Sequence, residues 1–216
     1  MIVDSCRTSL QKLIFDSKNH VYPLRNDFTR IIAAALCLRS IVMGHNACTL
    51  KPIPSLRTLV FRLWDNSHRM DTWEHFLAIQ GAYATTAHIL NRFWGKTAVP
   101  PLLQLLAAHC PRLAHLVLYT ARWIELLPEA MQALPESVTH LGLHRRYKPR
   151  EDEDYEHLYD MCCRLGSTRK ALRVVRMLNR EGVCELGEWM SVKRDWSLFE
   201  THGDKMIMSP EYLTLS

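Results

Sequence analysis

The chain has 216 residues, of which 48% are hydrophobic, 23% charged and 9% aromatic. That length and composition predict one globular domain or two small ones, and they exclude a wholly disordered or collagen-like chain. The net charge of +5 is a mild excess, which favours acidic partners but is small for a dedicated nucleic-acid-binding protein.

A short phrase of the form apolar-x-x-apolar-x-apolar recurs along the chain and predicts a repeated strand. A strand places alternate side chains on opposite faces, so the last two apolar residues of the phrase point to the same side. The gap between the third and fourth copies is about twice the first gap, so a degenerate copy is expected inside it. The copies begin at Leu10, Leu38, Leu56, Leu113, Val138 and Leu172.

Segments with helical character precede most copies, and a polar or proline-containing break separates helix from strand. Pro111 and Pro135 stand where two helices are expected to end, because the residue before a proline disfavours helical geometry. Residues 66–99 interrupt the rhythm: 71–80 predict a helix, and 83–94 either extend it or form a second helix. The remaining helices are predicted over residues 29–38, 101–109, 123–134 and 155–165.

The segment HCPRLAHLVL at residues 109–118 resembles the cysteine-containing leucine-rich repeats of F-box proteins. The segments LPEAMQALPESVTHLGL at residues 127–143 and PSLRTLVF at residues 54–61 are similar to repeats of that class. Irregular repeat spacing and a tryptophan-containing tail extend the resemblance to fungal F-box/leucine-rich-repeat-like proteins over roughly residues 8–180. The resemblance implies a non-catalytic protein-recognition module, such as the substrate-reading part of an F-box-type ubiquitin ligase.

The sequence departs from that family because no F-box is visible. An F-box usually opens with Leu-Pro-x-Glu before an apolar helix, whereas the Leu-Pro-Glu runs here begin at Leu127 and Leu134. A cullin-ligase adaptor is therefore a partner only if an F-box is hidden or was lost. The chain is a stand-alone repeat module, a fragment, or a truncated F-box relative without independent function.

These observations predict an α/β fold: an irregular, right-handed, leucine-rich-repeat-like arc of helix–strand units, with parallel strands inside and helices outside. Each unit is too small to bury its own apolar face, so stacked units must share one core that includes Leu116 and Leu141. We predict this domain over residues 1–180, with an irregular insertion at about 66–99. A C-terminal cap and tail is predicted over residues 181–216.

The positions between the inward apolar residues are predicted to face the concave surface of the arc. Val60, Val117 and Gly142 belong to this set, together with polar and aromatic residues of the types that protein interfaces favour. We predict that the partner-binding residues are Arg62, His115, Tyr119, His140, His144 and Arg176.

No pattern in the sequence predicts catalysis, a cofactor or a metal site. The chain has no G-x-S-x-G elbow, no H-E-x-x-H and no glycine-rich phosphate loop. His140 and His144 would lie about 13 Å apart on one strand, too far for a single ion, and His115 beside His140 lacks a third ligand. We therefore expect a non-enzymatic protein.

The alternative function is that of a basic nucleic-acid-binding protein. Basic residues cluster over residues 145–150, starting with Arg145, and again over residues 164–180. Phosphate contacts need such a density. The acidic run at 151–156 separates the two groups, however, and no known nucleic-acid-binding module is visible. A protein partner is therefore favoured over nucleic acid.

Seven cysteines, the absence of C-x-x-C and the absence of an apolar leader segment predict a reducing compartment, either cytoplasmic or nuclear. Cys162 and Cys163 are expected to act as small apolar groups and not as a reactive pair. The most apolar run, residues 31–38, is much shorter than the ~20 residues that a bilayer span needs, so no membrane interaction is expected.

Overall fold

The computed structural model describes residues 11–15, 38–43, 52–63, 70–91, 99–120, 122–123, 126, 128–145 and 153–178. From the third strand onward, strands and helices alternate along the chain. The strands are β1 (Lys12–Phe15), β2 (Ser40–Met43), β3 (Thr58–Leu63), β4 (Thr86–Asn91), β5 (His115–Thr120), β6 (His140–Arg145) and β7 (Val174–Met177). The helices are α1 (Met70–Gln80), α2 (Val99–His109), α3 (Pro128–Gln132) and α4 (Glu153–Thr168), with a short 3-10 turn (Gly81–Tyr83) after α1.

All seven described strands form one parallel sheet, and their order in the sheet is their order in the chain. Each strand begins two residues after the first apolar residue of a phrase, as β5 does after Leu113. The register aligns equal phrase positions, so Leu59, Leu116 and Leu141 lie in one row across the sheet. The prediction of an α/β fold with parallel strands is therefore confirmed.

The same backbone hydrogen bonds recur at successive strands. The N–H of the first apolar residue donates to the carbonyl three residues earlier, as Leu113 does to Cys110 at 3.1 Å. One carbonyl next to each strand then accepts two N–H groups from the following copy, as Ala114 does from Thr139 and His140 at 2.9 and 3.0 Å. A common turn thus leads the chain into each strand and holds the register.

The degenerate copy expected between the third and fourth phrases begins at Ala84. Ala84, Ala87 and Ile89 occupy its three apolar positions and are at most 1% exposed. Strand β4 pairs in register with both β3 and β5. Residues 66–99, predicted as an irregular insertion, thus supply a helix and a strand of the main sheet.

The predicted helix over residues 83–94 is wrong, because that segment contains β4. Alanine favours a helix locally, but packing outweighs this preference. Ala84, which precedes β4, and Ala87 within it lie in the same hydrophobic core as Trp73 and Phe76 of α1. Trp73 also packs edge-on against Phe61 of β3, with ring centroids 5.5 Å apart.

The hydrophobic core lies between one side of the sheet and the helices. Leu116 and Leu141 are 0% and 1% exposed, which confirms their predicted place in the core. Three leucines of α2 are fully buried in the same cluster. Gly81 allows the end of α1 to approach α2, since a Cβ there would lie 2.4 Å from the His109 carbonyl oxygen.

Other predicted elements have mixed outcomes. The helices predicted over residues 71–80, 101–109 and 155–165 are confirmed as α1, α2 and α4. Within residues 123–134, the described helix is limited to α3. Residues 29–37 of another predicted helix, and the cap and tail at 181–216, lie outside the described residues.

Among the helices that the structure describes, none has both the length and the apolar character required to cross a membrane.

Candidate functional site

The side of the sheet opposite the helices carries the side chains that alternate with the core residues. Because the register is conserved from β3 to β7, these side chains fall into three rows across the strands. We call this surface the open face. It comprises Thr58, Val60, Arg62, Thr86, His88, Leu90, His115, Val117, Tyr119, His140, Gly142, His144, Val174 and Arg176.

All six predicted partner-binding residues lie on the open face, and four of them form two separate pairs of neighbouring rings. His115 and His140 stack with ring centroids 4.6 Å apart. Tyr119 and His144 pack against each other in another row, with centroids 4.9 Å apart. Arg176 lines a small notch together with the two stacked histidines. All five side chains are half-buried.

Arg62 marks the other end of the open face. It lies on β3, in register with Leu90 of β4, which in turn pairs with Tyr119 of β5. With strands about 4.8 Å apart, the backbones of Arg62 and Tyr119 are separated by about 10 Å. Arg62 therefore lies in the same row of the open face as Tyr119 and His144, two strands away from Tyr119.

Sequence reasoning missed His88 on β4. Its ring centroid lies 6.2 Å from that of Tyr119 in a stacked orientation, and its side chain is 6% exposed. The available signal was the position of residue 84, close to midway between the copies that begin at Leu56 and Leu113. Alanines at the first two apolar positions concealed that signal.

From β3 to β6, the middle row of the open face is more buried than the sequence predicts, whereas Arg176 of β7 in the same row is half-buried. Val60 and Val117 are each 4% exposed, and Gly142 is buried. Gly142 lies against Leu178, since a Cβ at this glycine would be 3.0 Å from Leu178 Cδ1 and 3.2 Å from Val117 Cγ2. Val60, Val117 and Gly142 thus lie on the open face as the alternation predicts, but they offer little accessible surface to a partner.

Burial holds several histidines of the open face in the neutral form near pH 7. It lowers the pKa of His88 to about 4, and the positive charge of Lys12 acts in the same direction. The pKa of His115 is also lowered, first by burial and then by the charges of His140 and Arg176. Burial of these imidazole rings against their neighbours thus opposes their protonation.

Burial also opposes the ionisation of Tyr119 and His144, which lie in another row of the open face. Burial lowers the pKa of His144, although a backbone hydrogen bond acts in the opposite direction. Burial raises the pKa of Tyr119, so its hydroxyl keeps its proton near neutral pH. The fixed positive charge beside the stacked histidines is therefore that of Arg176.

None of the seven described strands contains an aspartate or glutamate. The described carboxylates lie instead on the helices and in the turns next to them, for example Asp71 on α1 and Asp160 on α4. The open face therefore combines cations, imidazoles and hydroxyls without an acidic side chain from the strands that form it.

Arg145 is a buried residue of the sheet and not part of an exposed basic patch. Its side chain is 3% exposed, and its guanidinium carbon lies 5.5 Å from the ring centres of both Trp123 and Tyr155. Cation–π contacts of this kind stabilise a buried cation. Arg145 therefore does not belong to the exposed basic cluster that the sequence predicted over residues 145–150. Residues 146–150 lie outside the described residues.

The concavities differ in size and chemistry. The notch on the open face has a volume of about 30 Å³. A wider surface groove of about 660 Å³ lies on the helix side, where alanine, proline and glutamine side chains provide much of the lining. Small-molecule sites enclose roughly 300–1,000 Å³, so the notch is too small to surround a metabolite.

The described cysteines carry free thiols. Burial raises the pKa of Cys110 to about 12, and it does the same for Cys162, where the neighbouring Cys163 adds to the shift. Thiols with such pKa values are poor nucleophiles at neutral pH. Across the described ranges, no group of three or more His, Cys, Asp or Glu side chains is arranged to hold a metal ion.

Comparison with known proteins leaves the functional argument to this geometry, since no protein-family model matches the chain and no curated protein matches it.

Proposed function

We propose that the open face is a protein-recognition surface and that the chain acts as a non-catalytic, leucine-rich-repeat-like recognition module. The observation that carries this proposal is the asymmetry of the sheet. One side shares a core with the helices, while the other presents stacked histidines, Tyr119 and Arg176 in half-buried positions. Tyrosine and arginine are the residue types that anchor protein interfaces.

The repeat architecture is supported by the order of the strands and by their turns. Parallel strands whose order in the sheet is their order in the chain are what a stack of equal helix–strand units produces. The same turn hydrogen bond precedes successive strands, including β4 at Ala84. Such stacks present one sheet face as a continuous surface, which suits an extended partner segment.

The role in an F-box-type ubiquitin ligase belongs to the same proposal and derives from the resemblance of the repeat segments. In that setting the open face reads a substrate, and another segment docks the cullin-ligase adaptor. Co-purification of the adaptor with the tagged chain from its own cells tests this part. A chain that binds partners through the open face but recovers no adaptor acts as a stand-alone module.

Photo-crosslinking tests the recognition surface directly. A photoreactive residue is placed at Thr86, which is half-buried on the open face, and at Ala78, which is exposed on α1. We expect a discrete protein adduct in cells from the Thr86 position, and its loss when Tyr119→Ala is added. Tyr119 is chosen because it packs on His88 and His144 at the centre of the surface.

The matched position on α1 decides the outcome. Equal adducts from Thr86 and Ala78, or none from Thr86, would contradict recognition through the open face. An adduct that disappears on nuclease treatment would favour the nucleic-acid alternative. Thermal melting of each variant confirms that the fold is intact before crosslinking is compared.

A further inference from the structure

The guanidinium of Arg176 lies on the open face beside His115 and His140. Its Nε atom is shielded from solvent, and no hydrogen-bond acceptor reaches this atom from the residues that the structure describes. A shielded cationic donor without an acceptor costs free energy. The Arg176 side chain as a whole is half-buried, so an anion on the open face can still offset its charge. The position therefore fits a ligand that brings its own acceptor.

The notch next to Arg176 limits what that ligand can be. Its volume of about 30 Å³ is far below the roughly 300–1,000 Å³ of small-molecule sites. The end of one side chain fits this space, whereas a whole metabolite does not. Gly142 contributes to the space, because a Cβ there would approach Leu178 and Val117.

His140 is oriented to donate a hydrogen bond outward. Its Nδ1 lies 2.8 Å from the Thr139 hydroxyl, which is also 3.2 Å from the Ala114 carbonyl oxygen. That carbonyl already accepts two backbone N–H groups. The hydroxyl proton is therefore better placed on His140 Nδ1, and the imidazole proton then sits on Nε2. In this tautomer His140 is a donor on the side away from Thr139.

Charge selects the ligand class. The strands of the open face carry no carboxylate that could pair with Arg176. Arg176 supplies one fixed positive charge, and the stacked His115 resists protonation near pH 7. One fixed positive charge matches a singly charged carboxylate, whereas a phosphoryl group brings a charge closer to −2.

We infer that the notch formed by His115, His140 and Arg176 binds the carboxylate of an aspartate or glutamate side chain on the protein partner. This inference rests on the proposed function and adds the chemical class of the segment recognised. The recognised segment is acidic, and it crosses the open face with one carboxylate directed at Arg176. A carboxylate–guanidinium contact there is charge-assisted and stronger than a hydrogen bond between neutral groups.

The test begins with a random peptide library selected on the full chain. We expect the selected peptides to be enriched in aspartate and glutamate and to lose binding when the chain carries Tyr119→Ala. A selected peptide is then synthesised with its conserved acidic residue intact, with that residue as the neutral amide, and with phosphoserine in its place. Fluorescence anisotropy measures the affinity of each peptide for each variant.

A double-mutant cycle isolates the contact with Arg176. For the parent chain, the amide peptide should bind about tenfold more weakly than the acidic peptide, or worse. For Arg176→Gln, the two peptides should differ by less than about twofold, because the cation is gone. Arg164→Gln removes the same charge from an exposed position on α4 and should keep the parent's preference. Arg176→Lys keeps the positive charge and should retain part of the preference for the acidic peptide.

The failures of the two proposals are distinguishable. Peptides that depend on Tyr119 but show no acidic enrichment, or whose acid preference survives Arg176→Gln, would overturn the carboxylate site and leave the recognition surface standing. Tighter binding of the phosphoserine peptide would also overturn the carboxylate assignment. Failure to select any peptide that depends on Tyr119 would overturn the recognition surface itself.

Discussion

Replacement of His88 by valine removes a buried ionisable group from the middle row of the open face. The strands on either side carry Val60 and Val117 at the same row, so valine suits the local packing. We expect His88→Val to fold as the parent chain does. The free energy of unfolding of His88→Val should fall less than that of the parent as the pH is lowered, because only the parent protonates His88 when it unfolds at low pH.

The magnitude follows from the pKa of His88. Burial lowers it from the ordinary value of 6.5 to about 4 in the folded chain. The pKa of His88 is lower in the folded chain than in the unfolded chain. The stability that goes with a neutral His88 is therefore fully present above pH 6.5, and it is lost as the pH falls toward about 4. One pKa unit corresponds to about 1.4 kcal/mol. Acidification from pH 7 to about 4.5 should therefore cost the parent about 2.5 kcal/mol through this group.

Urea denaturation of both chains at pH 7 and at about pH 4.5, followed by tryptophan fluorescence, measures this effect. Other titrating groups act on both chains, so the difference between the two losses reports His88. We expect the parent to lose about 2.5 kcal/mol more than His88→Val. Equal losses would refute the argument that the fold buries His88 in its neutral form.

Three further predictions concern the core, a close approach and the thiols. Leu116→Ala should lower the free energy of unfolding by about 2–5 kcal/mol in urea, because the side chain is fully buried, and parental stability would contradict the strand register. Gly81→Ala should cost about 1–3 kcal/mol in the same assay, since the new Cβ would meet the His109 carbonyl at 2.4 Å, and parental stability would contradict that approach. Burial raises the pKa of Cys162 to about 12, so iodoacetamide at pH 8 should label the half-buried Cys163 before it labels Cys162. Mass spectrometry measures the two rates, and prompt labelling of Cys162 would contradict its burial.

The strands were largely predictable because each phrase carries its own signal. Large aliphatic residues at three spaced positions describe one face of a strand, and the spacing does not depend on the rest of the chain. Alignment of the copies also predicted that His140 would lie beside His115, and His144 beside Tyr119, as their stacked and packed rings confirm.

Prediction from the sequence failed for small or charged residues whose burial depends on side chains from other parts of the chain. Ala84 and Ala87 gave a helical signal, but both residues are buried in the core that the sheet shares with α1. Arg145 looked like a surface cation, yet it is buried against Trp123 and Tyr155. Local composition does not contain these contacts, since they join residues from different repeat units.

The sequence by itself determined where the described strands start, outside β4, and which side chains alternate toward the core, because alternation is a property of a single strand. The tertiary structure decided that β4 joins the sheet, that Val60 and Val117 are buried on the open face, and that Arg176 shares a notch with His115 and His140. These results depend on the distances between strands and on the sizes of facing side chains. Such quantities exist only once the units are stacked.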